Sequence, residues 1–205
     1  MRDQKLHGSP HRRANEQRPD DAAVQHDVGR HPIFTIGHST RTLAELISLL
    51  HSQHITLLLD IRKLPGSNAY PHFNRDTLSP ALAAAGIEYR WAEALTGRRP
   101  VSRTVPPATN AWWRNRSFHN YADYALGREF AAALDETCCV AGRGDRVVLM
   151  CAEAVWWRCH RRIIADHLLA RGECVVHIMG EGKVVDAKLS EGARVGPGGV
   201  VTYPA

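Results

Sequence analysis

Six reactive or charged side chains crowd one short stretch of this chain: Cys151, Glu153, Cys159, His160, Arg161 and Arg162. The stretch follows an apolar run, Val147 to Met150, and leads into the helical pattern Ile163, Ile164, His167, Leu168. It therefore reads as a junction between a buried strand and a helix. Ligands of open α/β sheets bind outside the carboxyl ends of the strands, so a polar cluster at this position has a use beyond solubility. Glu153 is the strongest single candidate. A carboxylate beside Trp156 and Trp157 is expected to be desolvated, which raises its pKa and suits it to general acid or base work. The structural alternative is an ion pair with Arg161 or Arg162. Cys159 is expected in the first turns of the helix, where the dipole and nearby arginines lower a thiol pKa. It is then a nucleophile, with His160 or His38 as its partner. Cys151 reads as a small buried residue. The spacing C-x7-C-H is wider than that of ordinary zinc ligand pairs, so neither a metal nor another cofactor is expected.

These residues need a scaffold, and the hydrophobic periodicity supplies one. Ile33 to Ile36 reads as a first strand, closed by Gly37-His38-Ser39-Thr40. Thr42 and Glu45 form a capping-box pattern ahead of the stripe Leu43, Leu46, Ile47, Leu50. A second strand ends in Asp60-Ile61-Arg62. A helix from Asp76 stops at Gly86, and a third strand runs to Trp91. Residues 92–117 read as a long irregular loop, and residues 118–141 as helix in one or two pieces. The fourth strand, the junction helix and a fifth strand at 174–178 complete the pattern. Strands alternating with helices predict an α/β fold of three layers. Its mostly parallel, Rossmann-like sheet has about five strands and helices on both faces. Residues 1–31 are polar and aperiodic and read as disordered, with a nucleic-acid-binding arm as the alternative. Residues 32–180 form the domain, and 181–205 a tail that can fold as a small hairpin.

In such a sheet the strand ends converge. Gly37, His38 and Ser39 from strand one, Asp60 and Arg62 from strand two, and Cys151 to Glu153 from strand four are expected to share one edge. Gly37 permits a close backbone approach. His38 is a candidate base, and Asp60 either pairs with Arg62 or orients it toward an anion. Aromatic and basic residues interleave at Trp112-Trp113-Arg114 and at Trp156-Trp157-Arg158, a composition in which rings stack on bases and arginines meet phosphate.

The 205 residues carry a formal charge of +5 with twelve His, and the pI is near 9.1; this leans toward polyanionic partners. No apolar run spans a bilayer, and residues 1–31 lack the apolar core of a signal peptide. Five irregularly spaced Cys do not form a disulfide framework, so a cytoplasmic setting is expected. The G-x-G-x-x-G and P-loop patterns are missing, which argues against dinucleotide and nucleoside-triphosphate binding.

Several separated motifs occur in order: Thr35-Ile36-Gly37-His38-Ser39; Asp60-Ile61-Arg62 with Pro65 and Ser67; Pro71-His72-Phe73-Asn74; Tyr121-Ala122-Asp123-Tyr124; Leu149-Met150-Cys151-Ala152-Glu153; and Cys159-His160-Arg161. Over residues 32–180 the chain resembles the DUF488 family. Asp60-Ile61-Arg62 stands where Asp-Val-Arg is commoner, and Ala154 to Arg158 form an aromatic variant of the linking segment. Some proteins of this kind are associated with excision of modified pyrimidines such as 5-hydroxymethyluracil. The resemblance thus implies a DNA N-glycosylase, with DNA as partner and no membrane. In that reading Asp60, Glu153 and His38 are catalytic. Gly37, Ser39, Arg62, Ser67, Trp156, Trp157, Cys159, His160 and Arg161 contact substrate, with a tryptophan stacking on the flipped base. The alternatives are a thiol enzyme built on Cys159 and a non-catalytic nucleic-acid-binding module.

Overall fold

The computed structural model describes residues 31–66 and 68–205. The expected disorder of residues 1–31 thus falls, but for His31, outside the described residues, as does the expected role of Ser67. Eight strands and five α-helices are described: β1 Ile33–Gly37, α1 Leu43–Ser52, β2 Leu57–Asp60, α2 Arg75–Ala84, β3 Glu88–Trp91, α3 Arg116–Ala125, α4 Arg128–Gly142, β4 Val147–Cys151, α5 Arg161–Leu169, β5 Val175–Gly180, β6 Lys183–Asp186, β7 Arg194–Val195 and β8 Val201–Thr202. The main sheet runs in the order β3-β2-β4-β1-β5-β6. Its first five strands are parallel, and β6 joins antiparallel to β5. This is an α/β three-layer, Rossmann-like fold.

Alternation along the strands explains the layers. Successive side chains of a strand point to opposite faces. Leu57, Leu59, Val147, Leu149 and Val175 pack against α3, α4 and α5 through Tyr121, Phe130, Leu134, Ile163 and Leu168. Phe34, Ile36, Leu58, Val148, Met150 and Ile178 pack against α1 and α2 through Leu46, Leu50, Leu78 and Leu82. Strands covered on both faces read as unbroken apolar runs, as Val147 to Met150 does.

Local signals hold at several ends. The Thr42 hydroxyl accepts from the Glu45 N–H while the Glu45 carboxylate accepts from the Thr42 N–H, so the capping box is formed. The helical stretch after the long loop is broken in two at Leu126-Gly127, and α3 opens at Arg116 because Asn115 caps it. The tail is more than an appended hairpin. Residues 183–186 extend the main sheet, β7 pairs with β8, and Tyr203 is fully buried with its hydroxyl donating to Asp166 at 2.8 Å.

The junction after β4 departs from the expected helix. Residues 156–158 form a single 3-10 turn, Cys159 is extended at φ −127° and ψ 146°, and α5 starts only at Arg161. Cys159 therefore precedes the helix rather than lying in its first turns.

Candidate functional site at the carboxyl edge of the sheet

The three polar strand ends do meet, because β2, β4 and β1 are neighbours in the sheet. Gly37 stands beside Cys151 in register, and Asp60 beside Met150. The pairing continues past the strand ends: the His38 N–H donates to the Cys151 carbonyl and the Ser39 N–H to the Ala152 carbonyl, both at 2.9 Å. The loop leaving β4 thus crosses directly over β1, and a methyl group built on Gly37 would overlap the Glu153 carbonyl. That is the physical reason for glycine at this position.

A cleft of about 750 Å³ opens at this edge. His38, Ser39, Arg62, Lys63, Tyr70, Gly97, Arg98, Phe118, Tyr121, Cys151, Glu153, Arg158, Cys159 and His160 are among the residues that line it. Among the described residues its walls carry the cations Arg62, Lys63, Arg98 and Arg158 and a single carboxylate, that of Glu153.

Asp60 does not line the cleft. It is fully buried, and its carboxylate accepts from Arg62 Nε at 2.9 Å, Arg62 Nη2 at 2.6 Å, the Arg62 backbone N–H at 3.0 Å and the Tyr89 hydroxyl at 2.7 Å. A carboxylate so saturated has no lone pair left for a substrate. Its expected catalytic role is corrected to a positioning one: it fixes the guanidinium of Arg62. Arg62 also donates to the Phe73 carbonyl at 2.9 Å, while its Nη1 lies 3.3 Å from His38 Nε2.

His38 is buried against Phe73, with ring centroids 4.2 Å apart. Its Nδ1 donates to the Ser39 carbonyl at 3.0 Å, which leaves Nε2 as an acceptor facing Arg62. Burial, and then the Arg62 charge, push its pKa down to about 4. His38 is thus a neutral imidazole with a defined tautomer at neutral pH.

Other expectations are corrected by placement. Glu153 is exposed rather than desolvated, on the loop after β4 that lines the cleft. Neither Trp156 nor Trp157 reaches the cleft. Trp156 stacks on His177 at 4.6 Å and 12°, and Trp157 is 48% exposed. Trp112 and Trp113 are not loop contacts for nucleic acid either: Trp113 stacks on Phe118 at 4.9 Å in the core, and Trp112 packs against Gly192 and Tyr203. Arg161 is fully buried. It donates to the Glu153 and Ala154 carbonyls at 2.7 and 2.9 Å, bracing the loop rather than offering itself to phosphate. Arg162 turns away onto Trp112, Trp113 and Trp156 and donates to Ser190.

The junction thiols sort differently from expectation. Burial and the adjoining Cys151 push the Cys159 thiol well up, the opposite of the lowering expected from a helix dipole and nearby arginines. The Cys151 thiol is held well down by hydrogen bonding from Cys159, then from His160 and the Glu153 N–H, against the opposing effect of burial. The fold also closes the wide C-x7-C-H spacing: one ligand atom from each of Cys151, Cys159 and His160 lies within 4.8 Å of the others. Sequence reasoning did not find Lys63, Tyr70, Gly97 or Phe118 as wall residues, whereas Arg98 is one of the arginines of the 92–117 loop expected to hold phosphate. Only Gly97 carried a signal, since a glycine in an irregular loop often marks a close approach. A methyl there would stand 2.9 Å from His160 Nδ1.

A family model described as "Domain of unknown function DUF488" matches residues 42–168, and the chain belongs to that family. The matched span contains β2, β4 and the loop between β4 and α5, so most of the cleft lies inside it. No curated protein and no solved structure matches the chain.

Proposed function

We propose that this protein is a DNA-directed enzyme that draws a modified pyrimidine into the cleft and hydrolyses its N-glycosidic bond. The observation that carries the reading is the lining of the cleft: among the described residues Lys63, Arg98, Arg158 and the Asp60-paired Arg62 stand against the carboxylate of Glu153, with the rings of Tyr70 and Phe118 in the walls. Phosphate contacts hold and orient a nucleic acid, and aromatic stacking offsets the few kcal/mol of unstacking that base flipping costs. Tyr70 and Phe118 take the stacking role first given to Trp156 and Trp157. Arg62, Lys63, Arg98 and Arg158 hold the backbone. The C1′–N1 bond breaks with its electron pair passing to the base. Water bonds to C1′, Glu153 accepts the water proton, and that proton then passes from Glu153 to the departing base. Neutral His38, with both ring nitrogens bonded within the protein, helps to fix the guanidinium of Arg62. No helix among the described residues is long and apolar enough to cross a membrane, and the five free cysteines suit a reducing compartment.

The test is incubation of the purified protein with duplex and single-stranded oligonucleotides carrying uracil, 5-hydroxymethyluracil and related bases, followed by alkali and a sizing gel. The expected result is a cleaved band for one modified pyrimidine, lost in Glu153→Gln with folding intact. Salt-dependent binding with no product from any oligonucleotide would leave a binding module in its place.

A further inference from the structure

We infer that Cys151, Cys159 and His160 form a binding site for a thiophilic divalent cation, with Zn2+ as the natural probe. The three ligands open onto the cleft. They come from separate pieces of backbone: Cys151 is the last residue of β4, Cys159 is the extended residue before α5, and His160 caps that helix. One donor atom of each lies within 4.8 Å of the others, and Cys159 Sγ is 3.6 Å from His160 Nδ1. Tetrahedral zinc with Zn–S of about 2.3 Å and Zn–N of about 2.05 Å sets sulfur and nitrogen about 3.6 Å apart. The described geometry already has that edge.

Three further observations support the site. The first is charge. A divalent cation displaces the thiol protons as it binds and neutralises the two sulfurs it leaves ionised in this buried place. The second is the ring of His160. Its Nε2 is buried without a hydrogen-bond partner among the described residues. The ring is held by packing, against Tyr121 at 4.9 Å and against Gly97. That packing keeps Nδ1, the nitrogen that would bind the cation, turned toward Cys159 Sγ at 3.6 Å. The third is the rigidity of the loop between the ligands. Arg161 clamps the Glu153 and Ala154 carbonyls, and the His38 and Ser39 N–H groups hold those of Cys151 and Ala152. Supporting contacts of this kind orient metal ligands.

All three residues line the cleft, and a set of three protein ligands leaves the fourth tetrahedral position facing it. Closed four-ligand sets are the mark of structural zinc, and three ligands with an open position the mark of zinc that meets a substrate or water. The site does not depend on the base-excision reading, and it would serve another substrate equally.

The test uses the full-length protein. Its zinc content is measured by elemental analysis, and the metal-stripped protein is titrated with Zn2+ and with Co2+, whose thiolate charge-transfer absorption reports sulfur ligation. The expected result is one zinc per chain, with X-ray absorption showing two sulfurs and one imidazole. In Cys159→Ser and His160→Ala the affinity should fall by more than the roughly 100-fold that loss of a supporting contact costs. Cys138→Ser, on α4, should bind as the unmodified chain does. Should a ligand variant fail to fold, the titration of the unmodified chain decides alone. A folded, metal-stripped protein that takes up neither ion at micromolar concentration would overturn the inference. So would a bound ion with no sulfur ligand, or a Cys151–Cys159 disulfide that persists in place of metal.

Discussion

Two polar clusters sit side by side at the carboxyl edge of the sheet, and they differ in how completely they satisfy themselves. At the end of β2, Asp60 and Arg62 form a closed pair. Each oxygen of the carboxylate is taken, and the guanidinium is shared between that carboxylate, a backbone carbonyl and the edge of His38. At the end of β4, two thiols and an imidazole converge with one ring nitrogen unpartnered among the described residues. Buried polar groups are normally hydrogen-bonded. The first cluster is satisfied by its protein partners, whereas the second gathers three metal-ligating atoms within 4.8 Å of one another. Asp60 thus serves to aim the Arg62 guanidinium, and Cys151, Cys159 and His160 converge at a corner of the cleft.

The contrast can be broken experimentally, beginning with the closed pair. Asp60→Asn leaves the guanidinium of Arg62 buried without its countercharge, a change that typically costs about 3–5 kcal/mol. Equilibrium denaturation should show that loss. A loss of activity with stability intact would instead return Asp60 to a catalytic role. Glu153→Gln should behave in the opposite way. Its side chain is exposed, so stability should change by less than about 0.5 kcal/mol, while excision should fall by roughly 10²-fold or more.

Acid stability gives a third handle. His177, bonded to the Thr35 hydroxyl at 2.7 Å and stacked on Trp156, is pushed down to about 4 by burial and then by the charge of Arg161. His167 is pushed down to about 3 by burial and then by Arg171. Both are neutral in the folded chain and take up a proton more readily when it unfolds. The stability they contribute is therefore present above pH of about 6.5 and declines as pH falls from there toward 4 and 3. The slope approaches about 1.4 kcal/mol per pH unit for each histidine. Denaturation midpoints measured between pH 7 and 4 should follow that decline, and His177→Gln should flatten it.

Smaller effects sharpen the comparison. Gly97→Ala places a methyl 2.9 Å from His160 Nδ1. The ring must shift, so zinc affinity should drop about tenfold while the fold is kept. Metal titration of that variant measures it, and unchanged affinity would show that the His160 ring is not held by this contact. Trp157→Ala removes an exposed ring outside the cleft. It should alter neither excision nor stability by more than about 0.5 kcal/mol. A large loss of excision would restore the stacking role to the junction tryptophans.

Much of the fold is legible in the sequence because its signals are local. The runs Ile33 to Ile36 and Val147 to Met150, the stripe of α1 with its capping box, and the glycines that end helices all act within a few residues. Their alternation decides a parallel sheet before any contact is known. The meeting of Gly37-His38, Asp60-Ile61-Arg62 and Cys151 follows from the same alternation. Reading the junction beyond β4 required more than local signals. The pattern Ile163, Ile164, His167 continues backward through His160 and Trp156 at helical spacing, yet residues 156–158 close a 3-10 turn, Cys159 is extended and Arg161 bonds to two loop carbonyls.

By itself, then, the sequence determined the fold class, the family and the strand ends at which polar residues gather. The tertiary structure alone decided what each of those residues does. Which carboxylate is sealed and which is open depends on Tyr89 and Arg62 closing over Asp60. Which tryptophans are core depends on Tyr203 and Gly192 returning from the tail. The Cys151, Cys159 and His160 cluster depends on an extended residue at the head of α5. Desolvation, hydrogen-bond saturation and ligand geometry are properties of three-dimensional neighbours, and spacing along the chain fixes them only where the chain is a regular helix or strand.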